Sequence, residues 1–358
     1  MTLRRYFLCA LLLLAIVVAA AWFFRTPLIL QIAAKVATQR MAADPTTELP
    51  DGLHIGLCGA GSPFPDEKRS GPCTVVVAGK RLFVFDAGSG SVRNIGKMGF
   101  SHGRIEAIFL THFHSDHIDG LGELLLQRWG STGNTVPVPI YGAPGVEKVI
   151  EGVLQAYRQD QGYRVEHHGD AAVPASGFGA TARVFHTGPA GRVVMLKDAD
   201  LEITAFLVDH APVHPALGYR ISYKGRSVVI SGDTKKAASV QREANGVDVL
   251  VHEALSTRLV DVLAQSATAA GRPNLNKVFN DIHDYHATPE QAAEIARDAK
   301  VGYLLLNHIV PALPLPGMEQ AFLGDAPAIF SGPIRVGTDG DFLSLPAGSK
   351  EIRVTQRF

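Results

Sequence analysis

The chain has 358 residues, 46% of them hydrophobic and 19% charged, which supplies a large apolar core and excludes a disordered chain. Thirty-four lysines and arginines balance thirty-four aspartates and glutamates, which removes the strong basic field of a protein whose main partner is nucleic acid and favours a small, weakly charged substrate. Three cysteines exclude a disulfide scaffold; Cys58 and Cys73 remain as either one pair or two small buried thiols.

Arg4 and Arg5 precede an uninterrupted apolar run over residues 6–24, closed by Arg25 and followed by a further apolar stretch over 27–34. A membrane span takes about 20 apolar residues and the apolar part of a cleavable signal about 7–15, so the run predicts a single-pass membrane helix. Ala19, Ala20 and Ala21 are small residues of the kind signal peptidases accept, and cleavage before Trp22 is the competing reading. In either case the paired arginines stay in the cytoplasm of a bacterial cell. The rest is then expected outside it, in the periplasm on an inner-membrane anchor or secreted. The expected division is an anchor or signal over 1–30, a stalk over 31–52 and a catalytic domain over 53–358.

Short β-type runs come first in that domain, over 53–57, 74–78 and 81–85, with Gly79-Lys80 as a tight hairpin between the last two. Helical spacing of apolar residues follows over 92–98, 121–129, 145–160, 289–298 and 318–329. Further strands are predicted over 105–110, 201–208, 217–223, 227–230, 247–251 and 303–306. Strands and helices interleave, but the hairpins exclude a purely parallel doubly wound sheet. The pattern predicts an α+β fold of two packed sheets flanked by helices.

The strongest chemical signal is the segment Thr111-His112-Phe113-His114-Ser115-Asp116-His117, which continues directly from the apolar run Ile108-Phe109-Leu110. Alternation puts His112 and His114 on one side of the strand end, where two imidazole nitrogens can meet one cation. Asp116 and His117 follow at a helix start and can point to a second cation. Such ligand-type side chains emerging from a buried strand would be costly without metal charge to bind. Other strand ends complete the set. Val208-Asp209-His210 offers His210 to the first cation, Ser231-Gly232-Asp233-Thr234 offers Asp233 as a bridge, and Leu306-Asn307-His308 offers His308 to the second.

In order and spacing this pattern resembles the metallo-β-lactamase superfamily. Gly59-Ala60-Gly61-Ser62-Pro63, Asp86-Ala87-Gly88, Gly218-Tyr219-Arg220, His252-Glu253-Ala254 and His286-Ala287-Thr288 are similar to the branch that holds ribonuclease Z and the zinc-dependent arylsulfatase-like hydrolases. The resemblance runs from about Leu53 to the C-terminus and implies an αβ/βα sandwich with two Zn2+ at one edge, Mn2+ or Fe2+ being compatible with the same ligands. It implies a dinuclear metallo-hydrolase in which a water shared by two cations, its pKa lowered toward about 7, attacks an ester. Asp116 would orient that nucleophile, His286 would protonate the leaving group, and Glu253 would orient His286. His283 competes for the role of His286. His214 competes with His210 as third ligand, and the resemblance favours His210, leaving His214 as a pocket residue. Arg220 is either an anion contact or a structural ion pair, and residues 157–168 either rim the site or form a solvated helix face.

True β-lactamases usually carry Cys or Ser where Asp233 stands, so antibiotic hydrolysis is not expected. No Lys/Gly-rich insertion of the kind that grips tRNA separates His117 from His210, and an exported enzyme would not meet tRNA. The expected substrate is therefore a small ester, arylsulfatase-like, phosphoester or lactone, with nucleic acid not expected as a partner and a homodimer left open. The alternatives are a ribonuclease Z-like phosphodiesterase and a catalytically silent metal-binding scaffold.

Overall fold

A computed structural model of the chain describes residues 2–358, which form two compact units. The N-terminal unit is one helix, Thr2–Ala42, whose described side chains are almost all exposed, apolar residues such as Leu12, Ile16 and Phe23 included. The first part of the segment expected as a stalk is helical, continuing the same helix from Gln31 to Ala42. The second unit starts at Pro45 and takes in the buried Thr46, so residues 45–51 belong to the globular part.

That unit is built from strands β1 (Gly52–Gly59), β2 (Cys73–Ala78), β3 (Arg81–Phe85), β4 (Ile105–Phe109), β5 (Val138–Gly142), β6 (Ala180–Val184), β7 (Arg192–Lys197) and β8 (Leu201–His210). After these come β9 (Val213–Tyr223), β10 (Arg226–Ile230), β11 (Val249–Leu255), β12 (Tyr303–Val310), β13 (Ile334–Val336), β14 (Asp341–Pro346) and β15 (Arg353–Gln356). One sheet runs β15-β14-β1-β2-β3-β4-β5-β6 and the other β13-β12-β11-β10-β9-β8-β7. Both are mixed. In the first, pairing is antiparallel from β15 to β3 and parallel from β3 to β6; in the second it is parallel from β13 to β10 and antiparallel from β10 to β7.

Phe83, Phe85, Phe109, Tyr219, Leu305 and Leu343 pack between the sheets, all of them fully or almost fully buried. Helices Ser91–Lys97, Leu121–Thr132 and Val146–His168 cover the outer face of the first sheet. Helices Ala238–Glu243 and Pro289–Asp298 cover that of the second. Thr288 opens the latter with a reciprocal capping box to Gln291, and Pro289 follows it, where a missing N–H costs nothing.

The helix expected over 318–329 is broken into Met318–Leu323 and Ala326–Ile329, because Gly324 takes φ 52 and Pro327 lacks the N–H needed to continue. The helix expected over 145–160 runs on to His168. Cys58 and Cys73 form a disulfide that joins the end of β1 to the start of β2 and closes the loop between them.

Candidate metal centre

The first sheet delivers its ligands at the C-terminal end of β4. Leu110 and Thr111 are buried, and the chain then passes through His112 and His114 into the short helix Ser115–Ile118, whose first turn carries Asp116 and His117. Asp86, just after β3, fixes this segment: its carboxylate accepts from the Thr111 backbone N–H at 2.8 Å, from Thr111 Oγ1 at 2.7 Å and from His117 Nδ1 at 2.8 Å. Donating at Nδ1 leaves the His117 ring to present Nε2 to the site. Asp86 takes φ 58, a left-handed conformation that aspartate tolerates better than most residues.

The second sheet delivers the rest through irregularities in its ladders. The β11–β12 register passes from Glu253↔Asn307 to Ala254↔Ile309, so His308 is the extra, bulged residue, and it takes φ 45. The bulge re-aims His308 out of the alternation. The β8–β9 ladder slips between Val208 and His210, and His210 Nδ1 donates to the Tyr285 carbonyl at 2.8 Å. Asp233 follows Gly232, at φ 60, where a Cβ would stand 2.4 Å from the Leu217 carbonyl oxygen and 3.0 Å from Thr111 Cβ. Only glycine lets that turn come so close.

These elements bring the expected ligands together. The donor atoms of His112, His114, His210 and Asp233 all lie within 4.8 Å of one another, and so do those of Asp116, His117 and His308. Asp233 Oδ2 faces both groups, 3.3 Å from His117 Nε2, 3.2 Å from His308 Nε2, 3.8 Å from His112 Nε2 and 3.9 Å from His210 Nε2. Asp116 Oδ2 stands 3.2 Å from His308 Nε2 and 3.5 Å from His117 Nε2.

The donor set fits divalent cations. His117 Nε2 is buried with no hydrogen-bond partner although two carboxylates lie beside it. His112 Nε2 stands 3.0 Å from His114 Nδ1, which is itself 3.4 Å from His210 Nε2, so three ring nitrogens converge on one point. Mixed imidazole and carboxylate ligands of this kind suit zinc, manganese or iron.

Burial pushes His117 and His308 down, but the Asp233 carboxylate, with Asp86 beside one ring and Asp116 beside the other, outweighs it and raises both. Asp233 is held well below the carboxylate range by His308 and His117 against its own burial. Burial pushes His112, His114 and His210 down, toward the neutral form in which imidazole binds metal.

His286 sits at the open side, its ring stacked on His308 with centroids 5.3 Å apart. Its Nδ1 donates to Glu253 Oε1 at 3.1 Å. The Thr234 and Ala287 backbone N–H groups hold the same oxygen at 3.1 and 3.0 Å, so the buried carboxylate is fixed before it orients the ring.

The competing residues lie elsewhere. His214 is exposed, and His283 stands 3.5 Å from Asp261, on the helix Thr257–Ala269. Arg220 donates to the Glu243 backbone carbonyl. Residues 157–168 do not rim the site: Tyr157 and Val165 pack against Trp129, Val173 and Phe178, and Arg164 pairs with Asp160 along the helix. The residues that sequence reasoning left without a role are Asp86, Thr111 and the Tyr285 carbonyl, which hold His117, His112 and His210 from behind, and Ser231, which holds the Glu253 backbone N–H. Asp86, Thr111 and Ser231 stood inside the quoted motifs without a role, and nothing in the sequence pointed to the Tyr285 carbonyl.

The family model described as "Beta-lactamase superfamily domain" matches residues 81–309. The chain belongs to the metallo-β-lactamase superfamily. Within that superfamily it lies in the ribonuclease Z branch. It is 37% identical over 289 residues to "Ribonuclease Z" of Mycobacterium avium (strain 104), covering 80% of this chain and 96% of that one. It is 38% identical over 290 residues to "Ribonuclease Z" of Mycobacterium bovis (strain BCG / Pasteur 1173P2), with the same coverage. Among solved structures, human tRNase Z, short form, superposes with a TM-score of 0.58 at 21% identity over 82% of this chain and 99% of that one. A metallo-β-lactamase fold protein from Bacillus subtilis does so with a TM-score of 0.57 at 20% identity, over 82% and 100%.

These relatives overturn two expectations. The small-ester, arylsulfatase-like reading gives way to the ribonuclease Z-like alternative, and the expectation that nucleic acid is not a partner falls with it. The inference from net charge failed because a sum over 358 residues says nothing about the field at one sheet edge, where metal charge would dominate.

Proposed function

We propose that this superfamily member is a metal-dependent phosphodiesterase of the ribonuclease Z type, acting on RNA. The observation that carries the reading is the pairing of a complete strand-end ligand set with the Glu253-held imidazole of His286, in a chain whose curated relatives are ribonucleases Z. His112, His114 and His210 would hold one cation, Asp116, His117 and His308 a second, and Asp233 both; zinc is the favoured metal. Such cations supply Lewis-acid charge, which acidifies a water and neutralises phosphate oxygens.

The chain's own groups do the rest. Asp116 accepts a proton from the attacking water as the new P–O bond forms. His286, held at Nδ1, delivers a proton from Nε2 to the oxygen of the breaking P–O bond, so the products are an alcohol and a phosphomonoester. Glu253 is a positioning residue that fixes the ring.

The helix Thr2–Ala42 is long and apolar enough, by length and composition, to cross a bilayer. A signal cleaved before Trp22 passes the same test of length and composition, and the mass of the mature N-terminus separates the two.

A 3′-extended RNA incubated with the metal-loaded full chain tests the reaction. Shortening to one discrete product, abolished by a chelator and restored by Zn2+ or Mn2+, is expected. An intact RNA alongside rapid hydrolysis of an aryl sulfate would overturn the reading.

A further inference from the structure

Two cavities open at the edge of the sandwich that carries the metal centre, and their chemistry differs. One, of about 790 Å³, is bounded by the loop over 62–71 together with Ser115 and Asp116, and it presents Asp66, Glu67, Asp119 and Asp339 against Lys68, Arg69 and Lys97. Arg69 is already committed to the Gly337 carbonyl and to Asp66. A polyanion gains little there.

The other, of about 390 Å³, lies between the ends of β5 and β6 and the β8–β9 hairpin. Pro144, Phe185, Leu207 and Leu217 form its apolar walls, and His186 and His214 stand at its rim. Among the described residues no carboxylate lines it. Both sides are tied to the ligand segment. The Leu217 backbone N–H donates to the Thr111 carbonyl at 3.0 Å, one residue before His112. Phe113, between His112 and His114, packs with the core cluster that contains Ala143, another lining residue, and its ring lies under Gly145.

We propose that this cleft holds the nucleobase of a nucleotide flanking the scissile phosphodiester, an inference that rests on the phosphodiesterase reading above. Phe185 gives the cleft an aromatic wall, and stacking on an aromatic ring is open to every base. The imidazoles of His186 and His214 each offer a donor and an acceptor nitrogen to the base edge. The volume accommodates a purine or pyrimidine with its ribose outside, and the absence of carboxylates leaves the adjoining phosphates unrepelled. His214, which the sequence set against His210 as a metal ligand, thereby acquires a role in recognition.

Binding of uridine 5′-monophosphate and of ribose 5-phosphate to the metal-loaded full chain, by calorimetry, tests the proposal directly. The base-bearing ligand should bind about tenfold tighter, the scale of one stacked base. Phe185→Leu, which keeps apolar bulk and removes the ring face, should erase most of that difference, and His214→Ala part of it. Equal affinities in the unsubstituted protein, or a preference untouched by Phe185→Leu, would overturn the proposal. Turnover of thymidine 5′-(p-nitrophenyl phosphate) against methyl p-nitrophenyl phosphate separates the two claims. If both are hydrolysed equally fast while the monophosphate shows no base preference, the cleft inference fails and the phosphodiesterase reading stands. If neither is hydrolysed while the base preference persists, the cleft stands and the phosphodiesterase reading fails.

Discussion

His286 shares with His117 and His210 an Nδ1 fixed from behind, and its donor atom lies within 4.8 Å of those of Asp233 and His308, so the geometry alone allows a further ligand as well as a proton donor. Its removal distinguishes the two roles. His286→Gln is expected to lower kcat on the order of 10²–10⁴-fold while metal content stays at the unsubstituted level, whereas Glu253→Gln should lose less because the ring remains. Metal analysis beside single-turnover RNA cleavage reads both quantities. Loss of metal in parallel with activity would make His286 a ligand instead. Asp86, Thr111 and the Tyr285 carbonyl belong to the same scale, since each fixes a ring whose other nitrogen faces the site.

At the scale of elements, the centre depends on places where the chain leaves regular geometry: the bulge at His308, the slip before His210 and the turn at Gly232. Gly232→Ala puts a methyl group 2.4 Å from a backbone oxygen and demands φ 60 of an alanine. It should lower both metal uptake and thermal stability, the latter by more than about 1 kcal/mol, while Gly188→Ala, which also has positive φ but meets nothing within 4 Å, should spare the metal. Equal metal content in the two variants would show that the turn does not position Asp233.

The same irregularities mark what the sequence could convey. Buried strands such as β2, β3, β4 and β12 were legible because continuous apolar runs end on turn residues or ligands. The edge strands β6, β7 and β15 were not, since their side chains are largely solvent-facing and carry no apolar alternation, and β5 is interrupted by Pro139. The ligand residues could be read one by one from strand ends. The cleft of Phe185 and His214 could not, because its walls come from strands whose adjacency only the fold establishes.

At the scale of the whole molecule, the first sheet closes through β1 and β14. His54 ties β1 to β14 through Ser344 Oγ at 2.8 Å and to the Pro50 carbonyl at 2.9 Å. Burial pushes its pKa below the ordinary histidine value, opposed in part by the Pro50 carbonyl. A depressed folded value means that the unfolded chain takes up the proton first, near pH 6.5, so stability present above that pH is lost as the pH falls toward the folded value. Urea midpoints between pH 7.5 and 5 should accordingly fall more steeply for the unsubstituted protein than for His54→Gln; parallel slopes would mean His54 does not contribute. The histidines and aspartates of four strand ends are expected to bind cations together. The decisive measurement is transition-metal stoichiometry of the purified full chain by mass spectrometry, with and without Asp233→Ala. About two divalent ions per chain, falling by at least one on loss of the shared carboxylate, is the predicted result. A protein that takes up no transition metal, or one whose content Asp233→Ala leaves unchanged, would contradict it.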